Sequence, residues 1–268
     1  LKSKVSKDYS NPMFLDTEGI NYIRSKWAVD KTTKKLASPK QEILYELYAD
    51  GLAPKTSSVF KDAPKYTSNK NYFGKGLVVD LSAKDFGSGL ENIHFSLGSE
   101  SFKVYNSNLS MDNEGTFELH YYSSDNVGNS EKIKNKSFIV DLTSPLSNHS
   151  IKGIVFEENI LSPSSSFVIT SSDNLSGVKN IFYLFDELNK STFKSNIKLS
   201  SLNDGEHIFK YWSNDNVKNS ELDNAKTFSF YLDKIAPVSK LEISGDSFIG
   251  NYNYVSERTE INLSSTDN

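Results

Sequence analysis

The sequence predicts an all-β protein built as tandem β-sandwich domains in an elongated string. Three observations predict it: a polar motif written twice, two further motifs that share its period, and short alternating segments rich in Val, Ile, Phe and Tyr between them. The repeated motif is SSDNVGNSE at 123–131 and SNDNVKNSE at 213–221, which makes Asp125 and Asp215 equivalent. A second series, SAKDFGSGL at 82–90, TSSDNLSGV at 170–178 and SSTDN at 264–268, aligns Asp85, Asp173 and Asp267. A third, YADGLAP at 48–54, FIVDLTSP at 138–145 and FYLDKIAP at 230–237, aligns Asp50, Asp141 and Asp233. All three recur at about 90 residues, near the size of an immunoglobulin-type sandwich of seven short strands.

The strand candidates follow in chain order. LVVDLSA, ENIHFSL, TFELHYYSS and NKSFIVD belong to the first copy, and SFVITSS, NIFYLF, EHIFKYWS and KTFSFYLD to the second. Most alternate apolar with polar residues, the pattern of a half-buried strand. Asp-Asn, Gly-Asn and Ser-Gly clusters separate them at intervals of about ten residues, as in an all-β sandwich. A Pro stands at each boundary, where its missing N–H ends a ladder. These limits divide the chain into 55–145 and 146–237 as complete immunoglobulin-like repeats and 238–268 as the start of a truncated one. Residues 1–54 read as the last strands of a preceding repeat, or a linker, with YIRSKWAVD and EILYELYAD joined by DKTTKKLASPK. A helix over SPKQEILYEL, capped by Ser38 and Pro39, is the alternative there; the shared Asp and Ala-Pro ending favours strand.

Composition excludes several classes of function. The 268 residues are 37% hydrophobic and carry a net charge of −4, enough apolar content for a folded core and no positive field for nucleic acid. Absence of cysteine removes disulfides, thiol nucleophiles and thiolate metal sites. There is no apolar run long enough for a membrane helix, and the start at Leu1 lacks a signal-peptide pattern, so the chain reads as an excised or processed portion of something longer. His94, His120, His149 and His207 do not recur in register or at metal-pair spacing. There is no GxSxG elbow, and Glu157 and Glu158, read as adjacent strand residues, would point to opposite faces. No catalytic constellation emerges, and the expectation is a protein that is not an enzyme. Of the adjacent pairs Tyr121/Tyr122 and Tyr211/Trp212, one member should enter the core, leaving Tyr122 and Trp212 as a ligand stripe only if they face outward.

In a seven-stranded sandwich, the loop between the second and third strands and the hairpin between the sixth and seventh lie at the end where the chain enters. The motifs are therefore expected to converge as Asp50, Asp85 and Asp125 with Asn126 and Asn129, and as Asp141, Asp173 and Asp215 with Asn216 and Asn219. Such oxygen sets suit calcium at domain junctions, an ion that takes 6–8 oxygen ligands in irregular geometry. The competing reading is turn chemistry, in which Asp and Asn bond nearby backbone amides. Lys218, in place of Gly128, and Lys234 after Asp233 bring positive charge toward any such ion.

TSSDNLSGV, GEHIFKYWSNDNVKN and FYLDKIAP, with their counterparts one period earlier, resemble the tandem bacterial immunoglobulin-like repeats of leptospiral outer-membrane and Bacteroidota surface proteins. Members are often labelled outer-membrane β-barrel-type domains. A barrel strand needs about 9–11 residues with an unbroken lipid-facing apolar row, whereas most segments here are shorter and carry Lys or Asp, so a sandwich string fits better. The resemblance implies a spacer or adhesion segment of a cell-envelope protein that is surface-exposed, secreted or periplasmic. Its expected partners are other protein subunits or an extracellular host or matrix protein. Carbohydrate-binding or scaffolding modules attached to an exoenzyme, with a glycan ligand, and a docking subunit of an envelope machine are the alternatives.

Overall fold

The computed structural model describes residues 18–24, 32, 33, 35 and 43–267 and divides into two units, 1–142 and 143–268. The architecture is all-β: tandem sandwiches, with a single-turn 3-10 helix at Leu222–Asn224 among the described residues. No helix of the described residues is long and apolar enough to cross a membrane.

Among the described residues the first unit opens with β1 (Gly19–Arg24), paired antiparallel to β2 (Ile43–Ala49). Strand therefore prevails over helix at 43–49, while Ser38, Pro39 and the segment 25–31 lie outside the described residues. The first sandwich contains β3 (Lys55–Lys61), β4 (Lys65–Thr67), β5 (Asn71–Phe73), β6 (Val78–Lys84), β7 (Leu90–Leu97), β8 (Lys103–Val104), β9 (Leu109–Ser110), β10 (Gly115–Asp125) and β11 (Lys134–Val140). One sheet has the order β3-β6-β9 and the other β4-β5-β11-β10-β7-β8. Alternation places Val79, Leu81, Leu119, Tyr121, Phe138 and Val140 between the sheets.

In the second unit the same frame is built from β12 (Leu146–Lys152), β13 (Val155–Phe156), β14 (Ile160–Leu161), β15 (Ser166–Ser172), β16 (Val178–Phe185), β17 (Ser191–Thr192), β18 (Ile197–Lys198), β19 (Gly205–Asp215) and β20 (Lys226–Leu232). Its sheets run β12-β15-β18 and β13-β14-β20-β19-β16-β17. The core centres on Phe167, whose ring stacks on Phe209 with centroids 4.2 Å apart. Beyond it, β21 (Val238–Ser244), β22 (Ser247–Ile249), β23 (Asn253–Val255) and β24 (Glu260–Thr266) repeat the order of β12–β15, with β21 on β24 and β22 on β23.

Each complete sandwich has nine strands where seven were expected. The extra pair is the small hairpin β4–β5, or β13–β14, whose second strand runs parallel to β11 or β20. It carries the chain from the edge of one sheet to the edge of the other. Glu157 and Glu158 lie in the turn of that hairpin rather than in a strand, with φ of 48° and 67°. Residues 157–159 reverse the chain between Phe156 and Ile160, and the left-handed backbone this tight loop takes at both glutamates replaces strand geometry. The sixth strands, β10 and β19, reach 11 residues because each runs on into its hairpin.

Because each sandwich has its own core, truncating Phe167 should damage only the second. Phe167→Ala is expected to cost about 3–5 kcal/mol there. In calorimetry of the full chain one transition should fall while the transition of the first sandwich stays in place; equal shifts in both would contradict separate cores.

Candidate functional site

The repeated DNV sequence builds the β10–β11 and β19–β20 hairpins around a buried carboxylate. Asp125 is fully buried; its Oδ1 accepts the N–H groups of Val127 at 3.0 Å and Asn129 at 2.8 Å, and its Oδ2 accepts the Asn129 side-chain amide at 2.7 Å. Asp215 does the same with Val217 at 2.9 Å, Asn219 at 2.8 Å and the Asn219 side chain at 2.6 Å. A buried carboxylate without such donors would carry a large desolvation penalty. Burial pushes the Asp125 pKa up, but the Asn129 and Val127 donors outweigh it and hold the group below the usual carboxylate range, against a smaller upward push from Asp50. Position 128 needs a left-handed residue, and Gly128 has φ of 95°. Lys218 adopts φ of 73° at the same place, a conformation that costs a non-glycine residue roughly 1–2 kcal/mol, and is exposed.

The asparagines join this hairpin to the β6–β7 loop. Asn126 donates its side-chain amide to Ser88 O at 3.0 Å and Gly89 O at 3.1 Å, and Asn216 donates to Ser176 O and Gly177 O, both at 2.9 Å. Within that loop Asp85 accepts the Gly87 and Gly89 amides at 3.0 and 2.8 Å; Asp173 accepts those of Leu175 and Gly177 at 3.1 and 2.7 Å. Turn chemistry therefore accounts for a bond at every one of these side chains.

In the first unit the turns also bring carboxylates together. Asp50, Asp85 and Asp125 each present an oxygen, and these oxygens lie within 4.8 Å of one another. Asp50 Oδ2 accepts the Ser88 amide at 2.5 Å, Oδ1 accepts Leu52 N at 3.1 Å, and the Asp50 carbonyl accepts the Asn129 side chain at 2.9 Å. The Ser88 amide is the main group holding its pKa low, with smaller help from Leu52 against burial. Gly87 makes room: a Cβ there would fall 2.2 Å from Asp50 Oδ2. The donor set is hard oxygen, and its remaining lone pairs suit a hard cation such as calcium in type. In the second unit, Asp173 and the Asp215–Asn216–Asn219 hairpin are joined by the bonds above, and Asn219 reaches Thr143 O at 3.4 Å. Asp141 is buried in the first unit, where its amide closes β11 onto Phe73 O at 2.9 Å.

Residue-by-residue reading of the motif passed over its last letter. Glu131 accepts the Thr56 amide at 3.0 Å, and Ser123 Oγ bonds both Glu131 at 3.1 Å and Thr56 Oγ1 at 2.8 Å. Lys134 pairs with Glu131 at 2.6 Å. Burial pushes the Glu131 pKa up, and Lys134 with Thr56 more than reverse it. In the second sandwich Glu221 accepts Ser147 N at 3.1 Å while Ser147 Oγ meets Ser213 Oγ at 2.8 Å. The Glu in equal register at the end of both motif copies was the available signal. Its task is to fasten the first strand, β3 or β12, to the sixth.

The aromatic pairs divide as alternation requires. Tyr121 and Tyr211 are in the core; Tyr122 stacks on His94 at 4.7 Å, and Trp212 stacks on Phe182 at 5.7 Å with only 5% of its surface exposed. Trp212 therefore offers no open ring to a sugar. Of the histidines, His207 places Nδ1 2.6 Å from Asp186 and Nε2 2.9 Å from Asn203 O, so both nitrogens face acceptors and the imidazolium fits best. Burial lowers its pKa, but Asp186 and Asn203 together raise it above the ordinary value.

Removing the hairpin carboxylate should cost more than an ordinary surface change. Asp215→Ala leaves three donors without their acceptor and is expected to lower stability of the second sandwich by about 1–3 kcal/mol. Denaturant unfolding of the full chain checks it; a loss confined to a few tenths would show that the hairpin stands without its buried charge.

No family model matches the chain, and no curated protein matches it. Among solved structures, it is similar to fibronectin(III)-like modules of Clostridium thermocellum CbhA at 10% identity and a TM-score of 0.35, covering 66% of this chain and 94% of that one.

Proposed function

We propose that the chain is a run of non-catalytic immunoglobulin-like modules in an exported bacterial cell-envelope protein, serving as a spacer or adhesion segment whose loops meet protein partners. The observation that carries this reading is the duplication itself. One nine-stranded frame is built twice and begun a third time, and the side chains that recur are those that fix turns and fasten strands. Repetition of a frame adds length and surface; the repeated residues that would mark a shared reaction centre are instead spent on amide donors. The resemblance to leptospiral and Bacteroidota repeats supports the envelope setting. Pulling a single full-length chain should give two similar force peaks, each releasing about 30 nm, the extended length of about 90 residues. A single merged event would contradict a string of independent modules. A defined sugar recognised on a glycan array would move the reading to a carbohydrate-binding module of an exoenzyme.

A second reading is favoured by the three oxygens of Asp50, Asp85 and Asp125: calcium binds there and stiffens the entry to the first sandwich. Three carboxylates this close repel, and a divalent cation relieves the repulsion. Calcium at 100 times its dissociation constant would stabilise the folded state by about 2.7 kcal/mol. The melting temperature of the first sandwich should therefore rise in millimolar calcium and fall with chelator, and Asp50→Asn should erase the difference. Identical wild-type curves with calcium and with chelator would leave the aspartates as turn residues alone.

A further inference from the structure

We propose that His149 is an acid-sensitive latch: neutral, it fastens the edge strand β12 to the second sandwich, and as the pH falls it releases β12 and bares the edge of β15. The position is specific to this sandwich. The equivalent residue in the first is Ser58, whose hydroxyl donates to Tyr121 Oη at 3.1 Å. His149 instead places Nδ1 2.9 Å from Tyr211 Oη and packs its ring against Phe167, Phe209 and Phe228, with centroids 5.7, 6.0 and 4.8 Å away. A neutral imidazole with its proton on Nε2 accepts the Tyr211 hydroxyl at Nδ1; an imidazolium can keep the contact only by donating from Nδ1 to Tyr211 Oη, and it then sets a charge among aromatic rings.

The groups packed on His149 are known from each neighbouring strand. From β15 comes Phe167, from β19 Phe209 and Tyr211, and from β20 Phe228. The titratable one among them is Tyr211, held protonated because burial, and then the charge of Glu221, raise its pKa. None of the four carries a negative charge to stabilise an imidazolium. Burial alone lowers the His149 pKa from 6.5.

The sign follows from that depression. Folding favours the neutral ring, so its contribution is complete above the unfolded pKa of 6.5 and is lost as pH falls through the lower folded value. His207 works the other way: its raised pKa gives stability that is complete below 6.5 and lost as pH rises through the folded value. Its counterpart in the first sandwich is Phe117, so both responses belong to the second sandwich. They differ in place, because His207 is on β19 beside Asp186 and Asn203, whereas His149 is in the middle of β12. β12 lies at the edge of its three-stranded sheet and, among the described residues, is paired along its length to β15 alone, so it can leave without breaking any other strand pairing.

Hydrogen exchange on the full chain at pH 7.5 and 5.5, corrected for intrinsic rates, tests the latch. Protection in 146–152 and 166–172 should fall on acidification by up to about tenfold, the ceiling set by pH 5.5 lying one unit below the unfolded pKa of 6.5. The corresponding strands 55–61 and 78–84 should not respond, His149→Ser should abolish the response, and His207→Phe should leave it in place. Equal change in both sandwiches, or an undiminished response in the His149→Ser variant, would overturn the proposal. NMR titration of the wild-type His149 ring decides the matter even if that variant fails to fold: a pKa below 6.5 is expected, and one at or above it overturns the latch, because the aromatic rings would then be stabilising the cation.

Discussion

A buried carboxylate that must find its donors locally organises this protein. Asp125 and Asp215 sit at the ends of the longest strands, out of water, and each solves the problem with three amide N–H bonds from the four residues that follow. That solution dictates the hairpin. Once the hairpin is shaped, Asn126 or Asn216 is aimed at the neighbouring loop, and Glu131 or Glu221 at the first strand. One charge burial thus sets the positions of three strands and two loops. The polar motif is long because Asp125 and Asn129 shape the hairpin while Ser123, Asn126 and Glu131 fasten it to other strands and loops.

Much of this was legible because the frame is written twice. Equal spacing of Asp85, Asp125 and their partners revealed the period, and alternation at Tyr121 and Tyr211 told which ring enters the core. The β4–β5 hairpin was not legible: KYTSNKNYF offers two three-residue strands, too short for a period to show, and its parallel pairing with β11 joins residues about 67 positions apart. The role of Glu131 was hidden for a related reason, since its partner Thr56 is 75 residues away. Local pattern reports which face a residue occupies, but not which distant backbone amide lies across from it.

The two sandwiches also show how much of a frame is negotiable. Ser58 becomes His149, Phe117 becomes His207, Gly98 becomes Asp186 and Gly128 becomes Lys218, while the strand order stays the same. Two of these exchanges are coupled in space: the Asp186 carboxylate, on a turn with φ of 50°, binds the ring and the strand that His207 introduces. The turn tolerates a strained residue there because its side chain gains a charged partner and the Ile208 amide, at 2.7 Å.

The segment β21–β24 separates strand pairing from core formation within the same chain. β21 pairs with β24 over seven residues, in the same register as β12 with β15. Yet Ile261 and Leu263 are 61% and 77% exposed, while Phe167 and Ile169, their equivalents, are 0% and 3%. Phe167 and Ile169 are covered by the facing six-stranded sheet β13-β14-β20-β19-β16-β17. Pairing supplies hydrogen bonds whose net worth is about 1 kcal/mol each, whereas closing a second sheet over Phe167 removes whole side chains from water at about 1.5–3 kcal/mol apiece. The fold of each repeat is therefore decided by the contact between its sheets, and the repeated Asp, Asn and Glu are the fittings that bring the edges and loops of those sheets into alignment.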